Sequence, residues 1–98
     1  MEITKNGTTV NAKVEGKLDR TSSPDFEAEV VKIMTDDVRT IIIDLEKAIY
    51  ISSAGLRVIL SLEKKMRKVG GKLIIKNVPP LIMDVFTETG LSEILTME

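Results

Sequence analysis

The sequence predicts a single α/β domain over residues 1–98, with a mixed, mainly parallel sheet of four to five strands packed against three or four helices. Short β-branched segments alternate with longer segments whose apolar residues recur at helical spacing, which is the pattern of β-α-β units. Asn6-Gly7, close to the start, is a strong signal for a hairpin turn. A chain of 98 residues buries one core and has no room for a second. The predicted order is therefore β-β-α-β-α-β-α-β.

The first two strands are predicted to form the hairpin. A short strand over residues 2–5 precedes Asn6-Gly7, and a second strand follows over residues 8–15. Every second residue of the second strand is apolar, so one of its faces is expected to be buried. Gly16 is expected to end this strand, and the residues after it are expected to form a polar connection.

The middle of the chain predicts a helix, a buried strand and a second helix. The first helix starts at Ser22-Ser23-Pro24-Asp25, where a serine cap, an early proline and an acid coincide, and it runs to about Thr35. The segment over residues 39–45 is too short for a helix and is rich in β-branched isoleucine, which favours a central strand. From Ala54 to Val69 apolar residues recur at helical spacing, and two glycines then end the helix.

The last third of the chain predicts one more β-α-β unit. Residues 72–78 are expected to form a strand, and Pro79-Pro80 opens a third helix that closes at Thr89-Gly90. Isoleucine and leucine in residues 93–97 predict a final edge strand. Strands joined through helices favour parallel pairing, so only the opening hairpin is expected to add an antiparallel edge.

Composition excludes several classes of function. The chain has no cysteine and no histidine, which excludes thiol nucleophiles, Ser-His-Asp catalysis and most transition-metal sites, and no cofactor is expected. The net charge is -1 and only three residues are aromatic, so direct binding of nucleic acid is not expected. The apolar runs are too short for membrane insertion, and the N-terminus lacks a signal-peptide core. These features predict a cytoplasmic protein that is not an enzyme.

Ser52 and Ser53 lie in the predicted loop between the central strand and the second helix. In a mainly parallel sheet such a loop lies beyond the carboxyl end of a strand, where α/β folds place functional sites. The helix start also offers unpaired N–H groups, which favour an anion such as phosphate. One serine is enough to cap the helix, which leaves the other hydroxyl free to project. Gly55 allows close approach of a backbone, either from another chain or from this one.

Four segments, in order along the chain, carry a resemblance to a known family. They are Gly16-Lys17-Leu18-Asp19, residues 43–60, the stretch GGKLII at 70–75 and the stretch FTETGL at 86–91. Together they resemble the STAS domain, specifically the single-domain anti-sigma factor antagonists. In that family a strand ending in Asp-Leu leads to an Asp-Ser-(Ser/Thr/Ala)-Gly-Leu motif that opens a helix. Here Ser52 stands in place of the motif aspartate, and Lys17 in place of the usual acid.

The resemblance implies a partner-switching cycle. The unphosphorylated antagonist binds an anti-sigma factor that is also a serine kinase, which frees the sigma factor. The kinase then phosphorylates and releases the antagonist, and a PP2C-type phosphatase restores it. The family's phosphoacceptor is the serine two positions before the motif glycine, which is Ser53 here. The residues expected to contact the partner are Asp19, Ser22, Ser52, Ala54, Gly55 and Arg57.

Several of these residues also suit a purely structural role. Asp19 suits a turn, and Ser22 suits a helix cap. Arg57 suits an exposed helix position, a partner contact or a contact with phosphate. The basic run over residues 64–68 suits either a solvated helix face or an acidic partner surface.

A second function is also open. The alternative is a constitutive STAS scaffold or adaptor subunit of a larger complex, stressosome-like or lipid-transport, without phospho-switching at Ser53. An enzyme is disfavoured, because no Ser-x-x-Lys motif occurs at this loop and no glycine-rich phosphate loop is present. The free protein is expected to be monomeric.

Overall fold

Five strands and three α-helices follow each other in the predicted order, with one additional 3₁₀ turn. The computed structural model describes all 98 residues of the chain. The elements are β1 (Glu2–Asn6), β2 (Thr9–Leu18), α1 (Ser23–Ile33), β3 (Thr40–Ile51), α2 (Ser53–Lys68), β4 (Lys72–Lys76), α3 (Pro80–Glu88), the 3₁₀ turn Leu91–Glu93 and β5 (Thr96–Met97). None of the helices combines the length and the apolar character needed to cross a membrane.

The sheet keeps its strands in chain order, β1-β2-β3-β4-β5. β1 pairs antiparallel with β2, whereas the remaining neighbours pair in parallel. Each parallel connection passes through a helix and moves one strand further in the same direction. Right-handed crossovers of this kind place all three helices on one face of the sheet. The mixed, mainly parallel sheet with an N-terminal hairpin confirms the predicted fold class.

The hairpin turn lies one residue later than the Asn-Gly signal suggests. Asn6 is paired with Thr9, so the loop consists of Gly7 and Thr8. Gly7 has a φ of 63°, and glycine adopts this left-handed conformation without steric cost. The signal therefore identifies the hairpin correctly, and the glycine decides where the chain turns.

The core lies between the helical layer and the inner face of the sheet. Val10 and Val14 of β2 are fully buried there. Each helix contributes a large buried side chain to the same cluster: Phe26 from α1, Leu62 from α2 and Phe86 from α3. Burial of one such side chain contributes about 1.5–3 kcal/mol. This packing fixes the positions of the helix ends on which the candidate site is built.

The outer face of the sheet carries charges that alternate in sign across the strands. The register places Glu2 beside Lys13, Lys13 beside Asp44, and Asp44 beside Lys76. At the end of this row the Nζ of Lys76 lies 3.8 Å from the Oε1 of Glu98. Neighbouring opposite charges on one face of a sheet are mutually stabilising, so this face suits contact with solvent.

β2 is longer than predicted. It continues through Gly16, which has a φ of 75°, and ends only at Leu18. The predicted strand end at residue 15 and the polar connection from Gly16 are therefore wrong. Glycine accommodates the irregular backbone at this point without leaving the sheet.

β3 is also longer, and it ends at Ile51 rather than at the predicted Leu45. Its register with β2 shifts twice, each time by one extra residue in β3. These bulges interrupt the alternation of buried and exposed residues, so that after Leu45 only Ala48 and Ile51 are buried. A rule based on strict alternation therefore identifies this segment as a loop, which is wrong.

The last strand, β5, begins at Thr96, three residues later than predicted, because the chain first forms the 3₁₀ turn Leu91–Glu93. The remaining element boundaries differ by one or two residues. α1 ends at Ile33 rather than near Thr35. β4 ends at Lys76 instead of residue 78, because Asn77 leaves the strand with a φ of 56°. Asparagine is one of the few residues other than glycine that adopt this conformation readily.

Candidate functional site

The carboxyl ends of β2 and β3 and the N-termini of α1 and α2 lie at one end of the molecule. The N–H of Ser52 donates to the C=O of Leu18 at 3.0 Å, which ties the start of α2 to the last residue of β2. Asp19 follows Leu18 directly, so Asp19 and Ser22 lie at the same end as Ser52 and Ser53. We call this end, defined by residues 17–22 and 49–57, the serine end.

Ser52 is the N-cap of α2 and directly follows the last residue of β3, so it does not lie in a longer loop as predicted. Its backbone is extended, with φ -99° and ψ 176°, and its hydroxyl accepts a hydrogen bond from the N–H of Gly55 at 3.4 Å. Its C=O accepts a bond from the N–H of Leu56 at 3.0 Å. A length of 3.4 Å is long for an N–H···O bond, so the side-chain cap is weak.

Ser53 is the first residue of α2, and its side chain is exposed. The helix has 16 residues and no acidic residue in its first turn, so no side chain compensates the positive end of its dipole. An anion attached at this position is stabilised by about 0.3–1 kcal/mol. The arrangement therefore offers an accessible hydroxyl at a place that favours phosphate.

Gly55 is buried against its own chain. A Cβ atom at this position would lie 2.6 Å from the C=O oxygen of Leu18 and 2.8 Å from the Cγ1 of Ile51. These separations are below van der Waals contact, so any larger residue would push α2 away from the strands. The close approach that Gly55 allows is therefore with the backbone of its own chain. A contact of Gly55 with a partner stays a prediction.

Asp19 and Ser22 hold the connection between β2 and α1 in one conformation. The Oδ1 of Asp19 accepts bonds from the N–H groups of Thr21 and Ser22, both at 3.0 Å. These bonds, led by that of Ser22, lower the pKa of Asp19 below its usual range. The hydroxyl of Ser22 donates to the C=O of Lys17 at 2.7 Å. Asp19 is therefore a charged turn residue at neutral pH.

The predicted serine cap of α1 is correct in position and wrong in bonding. Ser22 occupies the N-cap, but its hydroxyl makes no cap hydrogen bond. That hydroxyl accepts a bond from the N–H of Asp19 at 3.0 Å in addition to the bond that it donates. Ser22 therefore stabilises the loop, because its hydroxyl bonds the backbone of Lys17 and Asp19 and not the N–H groups of the helix.

Ala54 and Arg57 complete the predicted set. Ala54 is half-buried, and Arg57 is exposed one turn beyond Ser53. Residues spaced by four share a helix face, so Arg57 and Ser53 are neighbours on the surface of α2. Arg57 also begins a basic face of α2, which lines a shallow depression with Leu60, Ser61, Lys64, Lys65 and Lys68.

Three exposed large apolar side chains, at the end of β3 and the start of α3, are not predicted from the sequence pattern. Ile49 is 68% exposed, Tyr50 is 50% exposed and Leu81 is 75% exposed. Ile49 and Tyr50 belong to the bulged end of β3, which strict alternation assigns to a loop. The available signal is the composition of that segment, because three large apolar residues before Ser52 are unusual for a polar loop.

Comparisons with known proteins agree with the resemblance seen in the motifs. The family profile described as the STAS domain matches residues 1–98. The putative anti-sigma factor antagonist BtrV of Bordetella bronchiseptica is 34% identical over 83 residues, which are 85% of this chain and 72% of that protein. The anti-sigma-B factor antagonist of Bacillus subtilis is 26% identical over 97 residues, which are 97% of this chain and 86% of that protein.

Solved structures share the fold. The anti-sigma factor antagonist SpoIIAA in its unphosphorylated form has a TM-score of 0.79 and 23% identity, and the match covers 99% of this chain and 86% of that one. The phosphorylated form of SpoIIAA, a Bacillus cell fate determinant, has a TM-score of 0.78 and 24% identity, with 99% and 89% covered. With the family profile matching along its whole length, this chain belongs to the STAS domain family, among relatives named anti-sigma factor antagonists.

Proposed function

We propose that this chain is an anti-sigma factor antagonist that works by partner switching in the cytoplasm. In its unphosphorylated form it binds an anti-sigma factor that is a serine kinase, and the sigma factor is freed. The kinase transfers the γ-phosphoryl group of ATP to the Oγ of Ser53, the hydroxyl proton is lost, and ADP leaves. A PP2C-type phosphatase hydrolyses the phosphoserine and returns the chain to its binding form.

The observation that carries this proposal is the placement of Ser53. Its side chain is exposed at the first position of a helix of 16 residues, and no acid lies in the first turn. The neighbouring Ser52 is half-buried, and its hydroxyl is engaged in capping. Of the two serines, Ser53 is therefore the one whose Oγ is available to a kinase.

Phosphorylation at Ser53 would change the charge of the serine end without changing the fold. A phosphoserine adds about 1.5–2 negative charges. Against a carboxylate of the partner about 8 Å away, at an effective dielectric of about 40, repulsion amounts to about 2 kcal/mol. This corresponds to more than a tenfold loss of affinity. Asp19, whose pKa is lowered, keeps a further negative charge at the same end.

The relatives support the same function. Two curated relatives that match most of this chain are named anti-sigma factor antagonists. SpoIIAA, which has the same fold, has been solved in both an unphosphorylated and a phosphorylated form. Ser52, in place of the motif aspartate, leaves the local charge around Ser53 less negative than the family motif does.

The test is phosphopeptide mass spectrometry on the protein isolated from its native cells. We expect phosphate on the peptide that contains Ser53, loss of that phosphate in Ser53→Ala, and its retention in Ser61→Ala on the same helix. We expect an ATP-binding protein to co-purify with the wild type and with Ser53→Ala. We expect it not to co-purify with Ser53→Asp. An unmodified peptide under all growth conditions, with partner binding insensitive to Ser53→Asp, would favour the constitutive scaffold instead.

A further inference from the structure

The two most exposed large apolar side chains of the molecule line one groove. Ile49 of β3 and Leu81 of α3 are 68% and 75% exposed. Together with Ala48, Pro79, Pro80 and Ile82 they line a shallow groove of about 330 Å³. We call these six residues the apolar groove. Side chains of this size gain free energy when they leave water, so the groove favours a covering surface.

The apolar groove lies at the serine end of the molecule. Ile49 lies just before Ile51 and Ser52 at the carboxyl end of β3, and α3 begins after the carboxyl end of the neighbouring parallel strand β4. Tyr50, half exposed, is paired with Lys17 on the other side of β3. Ile49 and Tyr50 therefore both belong to the exposed end of β3 that leads into Ser52 and Ser53, and Ile49 also lines the groove with the start of α3.

The groove is too small to hold two copies of the chain together. Two exposed side chains of this size present roughly 200 Å² of apolar surface, whereas a stable interface buries about 800 Å² on each partner. Apolar anchors of this extent occur at the centre of larger interfaces. The larger interface that the serine end offers is the surface around Ser53.

We propose that the apolar groove is the anchor by which the kinase partner holds this chain, through an apolar surface on the kinase next to its active site. The inference rests on the proposed function, because that function requires Ser53 to enter the kinase active site while the adjoining surface is covered. Since Ile49 and Leu81 do not carry the phosphoryl acceptor, they contribute to affinity and not to the chemical step.

The test compares two double variants as substrates of the purified kinase partner recovered with the wild-type chain. Ile49→Ser with Leu81→Ser removes the anchor. Val31→Ser with Val69→Ser is the matched control, because these residues are 42% and 45% exposed near the C-terminal ends of α1 and α2, at the opposite end of the molecule. We expect the first pair to raise the KM for this chain at least tenfold with unchanged kcat, and the control to change neither. Thermal unfolding of both variants establishes that they are folded.

The possible results separate the two proposals. A KM within twofold of the wild type for Ile49→Ser with Leu81→Ser would overturn the anchor while leaving the phospho-switch intact. Equal losses in both double variants would also overturn it, because the effect would not be local. If the wild-type chain recovers no kinase and Ser53 is never phosphorylated, both proposals fail. Conversion of the free wild-type chain to a dimer that the Ile49 and Leu81 changes abolish would assign the groove to a second copy and contradict the inference.

Discussion

Two adjacent serines at the start of α2 perform different tasks. Ser52 has its hydroxyl on the helix cap, and Ser53 has its hydroxyl in solvent. The difference comes from the backbone, because the extended conformation of Ser52 turns its side chain towards the free N–H groups, whereas Ser53 already has helical geometry. Ser52 therefore supplies the cap, and the exposed Ser53 is not needed for it.

This division predicts different effects of alanine at the two positions. Ser52→Ala is expected to lower the free energy of unfolding by about 0.5–1 kcal/mol, the lower part of the range for lost caps, because the cap bond is long. Ser53→Ala is expected to stay within about 0.5 kcal/mol of the wild type. Urea denaturation measures both. Equal destabilisation by the two variants would contradict the assignment of the cap to Ser52.

Gly55 is the residue at which the start of α2 packs directly against Leu18 of β2 and Ile51 of β3. Gly55→Ala is expected to destabilise the fold by about 1–3 kcal/mol, because the added methyl group would overlap the backbone of Leu18 and the side chain of Ile51. Urea denaturation of Gly55→Ala beside Ser61→Ala, a half-buried position on the same helix, separates this overlap from general effects on α2. A Gly55→Ala variant as stable as the wild type would show that the strands yield at this point.

At the scale of the element, α2 lacks the acid that a helix normally favours in its first turn. It has five basic residues and one acidic residue, and Arg57 lies near its positive end. The basic residues of the last turn suit the negative end of the helix, whereas the positive end has a cation and no acid, and a negative charge at Ser53 compensates that end in two ways. It compensates the dipole, and it forms an acid–base pair with Arg57 four residues later.

Ser53→Asp is therefore expected to raise the free energy of unfolding by about 0.5–1 kcal/mol, although the same change is expected to weaken partner binding. Ser53→Asn, which is similar in size to aspartate and carries no charge, is the control that should bring no such gain. Urea denaturation at low salt measures the effect, and added salt should reduce it. A destabilised Ser53→Asp variant would show that the switch acts by loosening the fold.

How far the sequence predicts an element depends on whether the element is regular. The start of α2 and the hairpin are predicted to within one residue, from the Ser52-Ser53 pair and from Asn6-Gly7, because capping and turning are local events. The end of β3 is not, because two bulges displace its apolar residues from alternation. Ile49 is exposed for the same reason, and its neighbour Leu81 is 32 positions further along the chain, so the groove exists only in the folded molecule.

At the scale of the whole molecule, acid stability depends on a few aspartates. The pKa values of Asp19, Asp37 and Asp44 are lowered, chiefly by bonds from the Ser22 N–H, the Thr35 hydroxyl and the Glu46 N–H respectively. In the unfolded chain an aspartate has a pKa of about 3.9. The unfolded state therefore binds more protons below that pH, and stability falls as pH decreases through the folded-state values.

We expect the urea midpoint to be nearly constant between about pH 5 and 8, because the chain has no histidine, and to fall below about pH 4. Asp44→Asn, which keeps the side-chain oxygen that accepts from Glu46, should flatten the acid branch. Lys32→Gln, on an exposed part of α1, should leave it unchanged. A midpoint that is the same at pH 6 and pH 3 would contradict the three lowered pKa values.

The strand order of the sheet also affects how the protein can fold during its synthesis. Every strand after the first is added beside the strand that precedes it in the chain. During translation, no strand has to be inserted between two strands that are already paired. Each new strand pairs with the edge of the strand that was synthesised before it. The serine end is completed in the same way, since the residues that follow Leu18 are in place before Ser52 is made. The sheet can therefore grow from its N-terminal edge, one strand at a time, without rearrangement of the strands already paired.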